Sequence, residues 1–463
     1  MKKRILSVIL SSLILASASL SVSAADRALV SDGLSDMNFN GAKVKIMTSD
    51  FDSIIGEDNK KNEASQAVYE RNKAVENRLG IKFEYVNSDS KTLSKSLTDA
   101  QAAGNADYGI YAADGFSSSN LAANGSMSDI KENEYIDLSK PYWNDDFTNG
   151  MSANGKVFFI NGDANSDFFG SVYVTYFNRT KLNDVIQDTD LYADVRNGKW
   201  TLDKLISYSN SASVDMDNDG KIGVYDFSGF VYSVEDAIEA IAFGSGVKFA
   251  DRDSAGNPFY ALSDGDALLN FAVKIKEIYD SPASYQTALA DGDKASTAMN
   301  VFSERNALFT VGYLKEFKPF SSVMKDKVGY LPMPKGTESQ NDYVSSINQN
   351  ATIIGIPSGL SADNEKTAGA ALEALASYSY NNVTVKYLDY ITNGVYGEDN
   401  NSHEMIDLSI DNLHVDFAYQ YPSVGLNNIL RSMIKMGDKM PKRIETNAKN
   451  YSNAINKLVE SMK

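Results

Sequence analysis

The sequence predicts an α/β fold built on a parallel sheet, and three observations predict it. Strand-like and helix-like runs alternate from Ala42 to Ala112. The hydrophobic fraction is 43%, ordinary for a chain that buries a core. At 463 residues the chain is long enough for two lobes or domains.

The elements follow in order. Residues 26–42 are polar and read as a lead-in. Ala42–Met47 (AKVKIM) alternates as a strand does, and Thr48-Ser-Asp-Phe51 follows as a loop. Ala64, Ala67, Val68, Val75 and Leu79 recur at helical spacing, with Gly80 placed as a C-cap. Ile81–Val86 is the next strand, Ser94–Ala103 a helix, and Asp107–Ala112 a strand running into Asp114-Gly-Phe-Ser117. Ligands of parallel sheets bind at the carboxyl ends of strands. This rule puts Ser49–Phe51 and Asp114–Ser117 on one edge. Further on, Lys156–Ile160, Ser171–Phe177, Ala307–Val311, Val328–Leu331 and Ala351–Ile356 read as strands. Leu202–Ser209 (capped by Thr201), Ala237–Phe243, Ala267–Tyr279, Ala368–Tyr378 and the last forty residues read as helices. No linker separates two halves, so the chain is expected to cross between its lobes several times.

Composition narrows the setting. Met1-Lys-Lys-Arg4, an apolar run to about Leu20 and the small residues Val22-Ser-Ala24-Ala25 form an expected secretory leader over residues 1–24. The chain has no Cys, which excludes disulfides, thiolate metal sites, Cys nucleophiles and a lipid-anchored cysteine. The expected location is therefore secreted or extracytoplasmic. Loss of Lys2, Lys3 and Arg4 with the leader takes the formal charge from −17 to −20, which disfavours nucleic acid and anionic lipid as partners. With 26 Tyr and 21 Phe, the chain has rings enough for both a core and a cleft lining.

The strongest local pattern is Asp215-Met-Asp-Asn-Asp219-Gly220-Lys-Ile-Gly-Val-Tyr-Asp226. Asp215, Asp217, Asp219 and Asp226 fall at positions 1, 3, 5 and 12 of a calcium loop, Gly220 at the sharp turn, Ile222 at the apolar plug, and the Lys221 carbonyl at position 7. Asp rather than Glu at position 12 points to a structural Ca2+ rather than a switch. His403-Glu-Met-Ile-Asp is not a zinc-protease motif, and no G-x-S-x-G, P-loop or dinucleotide glycine pattern stands out. Trp143 and Trp200 read as structural, Trp200 beneath the 215–226 loop.

Four segments resemble one family. They are Ala67-Val-Tyr-Glu-Arg-Asn-Lys-Ala-Val-Glu with the following Leu-Gly-Ile-Lys, Asp137-Leu-Ser-Lys-Pro-Tyr-Trp143-Asn, Gly198-Lys-Trp-Thr-Leu-Asp203 with the acidic loop after it, and Val328-Gly-Tyr-Leu-Pro-Met-Pro-Lys-Gly336. Together they are similar to the family 1 extracellular solute-binding proteins, clostridial type, over nearly the whole mature chain. The resemblance implies a two-lobed periplasmic-binding-protein-like fold (type II), with a hinge and an interlobe ligand cleft. It implies capture of a carbohydrate, delivery to ABC permease subunits, and no catalysis. The expected division is 26–160 plus 300–350 for one lobe and 161–299 plus 351–463 for the other, which carries the calcium loop. Crossings are expected near Ile160–Asp163, near residue 300 and at Ala351–Ile356. The absent lipid-anchor Cys departs from the family's Gram-positive members.

By position in the family pattern, the implied ligand residues are Asp50, Asp114, Phe116, Asp163, Asn165, Phe168, Tyr232 and Tyr313. Sugars offer hydroxyls to carboxylates and amides, and C–H faces to aromatic rings. For each of these residues, a loop cap or a packed ring is the competing reading. Two other functions stay open beside the solute binder. One is a secreted calcium-dependent polysaccharide-binding or adhesion protein. The other is a glycoside hydrolase using an Asp/Glu pair.

Overall fold

The computed structural model describes residues 28–463, apart from 35, 106, 221, 224, 263–264, 288–296, 427–429 and 432–433. The leader expected at 1–24 and the Lys221 carbonyl lie outside the described residues. The strands are β1 Ala42–Thr48, β2 Ile81–Asn87, β3 Ile110–Asp114, β4 Tyr173–Asn178, β5 Ser228–Tyr232, β6 Ala250–Arg252, β7 Pro258–Tyr260, β8 Ser284–Gln286, β9 Ala307–Tyr313, β10 Val328–Leu331 and β11 Thr352–Gly355.

The first sheet has the order β11-β3-β1-β2. Ala42 stands opposite Ile81 and Ile46 opposite Ile110, both in parallel register, while β11 runs antiparallel to β3. The helix Glu63–Leu79 starts where Asn62 Oδ1 accepts from the Ser65 N–H at 3.1 Å and stops at Gly80, whose φ is 60°. Its buried face is the periodic one, and it packs with the helix Ala362–Asn382 against one side of this sheet.

The second sheet has the order β10-β4-β9-β5-β8. β9 pairs antiparallel with β4 and parallel with β5. This corrects the expected division of the chain. Residues 300–350 contribute β9 and β10 to the second sheet, and the segment after 351 contributes β11 to the first. Among the described residues there is no crossing near residue 300: the helix Ala298–Ser303 leads straight into β9. Strand-like patterning could not reveal this, because β9 inserts between strands that are far away in sequence.

Two crossing segments run side by side. Ile160 bridges Ile354, and Val172 bridges Ile347, both antiparallel. The chain crosses again after the helix Ala362–Asn382: Thr384–Ile391 still packs on Glu63–Leu79, and Asn400–Asp411 packs on β10 and β4. Paired crossings of this kind form the hinge between the lobes. The expected strand Lys156–Ile160 is reduced to two isolated antiparallel bridges, Lys156 to Ala153 and Ile160 to Ile354.

Candidate ligand-binding cleft

The first wall of the cleft grows from the carboxyl end of β1. Asp50 caps a single π-turn, Phe51–Ile55, its Oδ1 accepting from the Ser53 N–H at 3.0 Å. Gly56 closes the turn at φ 70°, where a Cβ would meet Tyr69 N at 2.4 Å, so only glycine fits. Beneath the turn lies Arg71, fully buried. Its guanidinium donates to the carbonyls of Ser53 (3.3 Å), Ile54 (3.2 Å) and Ala164 (2.9 Å) and to Ser379 Oγ (3.1 Å). Asn72 Nδ2 adds bonds to the Ile54 and Ile55 carbonyls at 2.8 and 2.9 Å. The turn is thus fixed from below, and Phe51 stands on it 46% exposed. The expected shared edge is present: the Asp114 N–H donates to Ser49 Oγ at 3.3 Å.

The second wall follows β9. Tyr313 ends that strand, its carbonyl accepting from Tyr176 Oη at 2.8 Å and its ring edge-on to Tyr173 with centroids 6.2 Å apart. Lys315, Lys318 and Phe320 come next, and Lys318 Nζ lies 4.0 Å from the centre of the Tyr390 ring. The hinge side supplies Asp167, Tyr387 and Thr352. Asp167 accepts from Tyr387 Oη at 2.9 Å and pairs with Lys315. A Cβ at Gly170 would overlap the Tyr387 hydroxyl, so that approach also needs glycine.

These elements enclose a cavity of about 810 Å³ between the lobes. Burial, with Asp167 nearby, pushes the Asp50 carboxyl up to about 7, although Ser53, Lys315 and Thr352 pull the other way. Burial and the neighbouring Asp167 push the Tyr387 hydroxyl well above its usual range. Burial holds the Lys318 ammonium below its usual value.

Of the expected ligand residues, Asp50, Asp114 and Tyr313 line this cavity. The others do not. Asp163 is buried and accepts from Thr384 Oγ1 at 2.5 Å. Asn165 is buried, donating to the Thr352 carbonyl at 3.3 Å and accepting from the Asp167 N–H at 3.1 Å. Phe168 packs edge-on between Phe147 and Phe169. Tyr232 is buried on β5, stacked on Phe230 at 5.2 Å. Phe116 is 47% exposed but outside the lining. In the segment that holds Asp163, Asn165 and Phe168, the residue lining the cavity is Asp167.

The acidic loop lies elsewhere. Val214 and Phe227 pair across its base, and Asn218 and Gly220 turn it at φ 61° and 84°. Carboxylate oxygens of Asp215, Asp217 and Asp219 lie within 4.8 Å of one another. Asp226 is buried and accepts instead from the Met216 and Gly223 N–H groups at 2.8 and 2.7 Å, bonds that hold its carboxyl below the usual range. None of the loop's described residues lines the cleft. Nor does Trp200 lie beneath it. The indole packs on Phe309 with ring centroids 5.7 Å apart and donates to the Pro332 carbonyl at 3.0 Å.

No family model matches the chain, and no curated protein does. Solved structures do match. The cyclic α-maltosyl-1,6-maltose binding protein of Arthrobacter globiformis superposes with a TM-score of 0.58 at 12% identity, over 91% of this chain and 99% of that one. This is the fold of the two-lobed solute-binding proteins. The GacH receptor of Streptomyces glaucescens, solved unliganded and with acarbose, gives 0.55 at 14% identity, over 91% and 99%. An ABC substrate-binding protein of Listeria monocytogenes in complex with cycloalternan gives 0.56 at 14%, over 90% and 98%. The solute-binding fold thus spans nearly all the described chain, and the cavity lies between its lobes.

Sequence reasoning missed Asp167, Lys315, Lys318, Tyr387 and Tyr390. One signal was available. Tyr387 and Tyr390 are three apart, on one face of the helix Thr384–Ile391. Nothing local marks Asp167, because its exposure depends on a hinge assembled from distant segments.

Proposed function

We propose that this chain is an extracytoplasmic solute-binding protein that captures an oligosaccharide between its lobes and presents it to the permease of an ABC importer, without catalysing a reaction. The cavity carries this reading. It lies at a hinge, its volume falls within the usual range for small-molecule sites (about 300–1,000 Å³), and it is lined by aromatic rings and carboxylates together. Rings such as Phe51, Tyr313 and Tyr390 offer faces for sugar C–H groups, and Asp50 and Asp114 offer acceptors for hydroxyls. The fold adds support, since its relatives include proteins described with bound cycloalternan and acarbose. Among the described residues no helix is long and apolar enough to cross a membrane, in keeping with a chain that acts outside the bilayer. The expected leader at 1–24 would deliver it there.

One observation favours a second reading. A carboxyl raised to about 7 beside a second carboxylate, as Asp50 is beside Asp167, suits the acid of a glycoside hydrolase. A thermal-shift screen of oligosaccharides, followed by chromatography of each stabilising ligand, separates the two. Stabilisation with intact ligand supports the carrier, and shortened products support the hydrolase.

The 215–226 loop is proposed to hold a structural Ca2+ through Asp215, Asp217, Asp219 and the Lys221 carbonyl, with Asp226 ordering the loop from inside. The mutual approach of the three carboxylates supports this. The ion would stabilise the entry to β5 and supply no chemistry to the cleft.

A further inference from the structure

We propose that the cleft selects a saccharide bearing a protonated amine, seated against Asp50 and Asp167. This deepens the reading of the cleft as a saccharide site and rests on it.

The lining is unbalanced in charge. Asp50, Asp52, Asp114, Asp167 and Glu316 face the cavity, against Lys315 and Lys318. Neither lysine offers a free anion site. Lys315 is paired with Asp167, and Lys318 lies over the Tyr390 ring. Arg71 lies behind the Phe51–Ile55 turn and feels the charge of Asp50 from there, but its hydrogen bonds run to carbonyls, Ser379 and Asn72. Asp50 is left with two neutral donors, the Ser53 N–H at 3.0 Å and Thr352 Oγ1 at 3.3 Å. Two carboxylates near each other with one lysine between them leave a place for one more positive charge.

A neutral sugar would hydrogen-bond to these groups but leave the imbalance. A sugar acid would worsen it, because like charges brought into a cavity repel and lose their water. A ligand ammonium would meet both carboxylates, and bonds between charged partners are roughly twice as strong as neutral ones. The exposed Phe51 face adds attraction for a cation as well as for C–H groups. Burial and the neighbouring Asp167 raise the Asp50 carboxyl against the pull of Lys315, as expected where two carboxylates share one cavity.

The test uses three β-1,4-linked trisaccharides that differ only at C2: cellotriose with a hydroxyl, acetylated chitotriose with an amide, and the glucosamine trimer with an amine. Each is titrated calorimetrically into the wild-type protein and into Asp50→Asn near neutral pH. The proposal expects the glucosamine trimer to bind at least about tenfold tighter than cellotriose, and this ratio to fall towards one in Asp50→Asn. Equal or tighter binding of either neutral trimer to the wild type overturns it, and so does a ratio that survives Asp50→Asn. If all three fail to bind while a broader panel of neutral oligosaccharides does bind, the amine proposal falls and the saccharide reading stands. If no saccharide binds, both fall.

Discussion

Tyr387 donates its hydroxyl to Asp167 across 2.9 Å, joining the last crossing of the chain to the first at the hinge side of the cleft. The bond orients Asp167 while Lys315 holds its other oxygen. Tyr387→Phe keeps the ring and removes the donor. Stability should drop by about 1 kcal/mol, and oligosaccharide affinity by roughly tenfold. Urea melts and calorimetry read the two effects separately. Unchanged affinity would mean that Asp167 does not need this bond to face the ligand.

The exposed ring of Phe51 and the half-buried ring of Tyr313 should each contribute stacking. Phe51→Ala and Tyr313→Ala should weaken saccharide binding by roughly tenfold or more, since ring contacts are worth about 0.5–1.5 kcal/mol beyond their buried area. Phe51→Ala should leave the melting temperature nearly unchanged, because that ring is 46% exposed and the turn beneath it is held by Arg71 and Asn72. A large drop in melting temperature would show that the ring is structural.

Glu373 predicts a pH effect on stability. It is fully buried on the helix Ala362–Asn382, accepting from Tyr142 Oη at 2.5 Å and from Trp143 Nε1 at 2.9 Å, with Asp137 close by. Burial pushes its carboxyl up to about 7, against the pull of those two donors. The folded state therefore holds a proton that the unfolded state releases near its ordinary carboxyl value. The stabilisation is complete below that value and is lost as pH rises through about 7. Relative to Glu373→Gln, the wild type should lose on the order of 3 kcal/mol over this window. Denaturant melts at several pH values measure it, and parallel curves for the two proteins would contradict it.

Calcium added to chelated protein should bind with one-site heat and raise the melting temperature. Asp217→Ala should abolish both while leaving saccharide binding intact, because the loop stands away from the cleft. No shift at excess calcium would leave the loop a plain acidic turn.

Much of the fold was legible because its elements are locally consistent. The helix Glu63–Leu79 shows its buried face, its Gly80 stop and its flanking strands in the bare sequence. Lobe membership was not legible, because β9 takes its place from pairing with β4 and β5 and not from its own residues. The cleft was half legible. Asp50, Asp114 and Tyr313 sit at strand ends, where sequence position already points towards a ligand. Tyr232 looked similar, but β5 is an interior strand of its sheet, covered on both faces, so its aromatic ring is core. Asp167 and Tyr387 are 220 residues apart, and only the assembled hinge brings them together.

The central claim is that the interlobe cavity binds a saccharide and returns it unchanged. The most direct measurement is a calorimetric titration of the wild type and Phe51→Ala with the best oligosaccharide from a screen, followed by chromatography of the recovered ligand. The account predicts one site at micromolar Kd or tighter (about −8 kcal/mol), a clear loss in Phe51→Ala, and ligand of unaltered length. Absence of heat with every oligosaccharide, or recovery of shortened products, would contradict it.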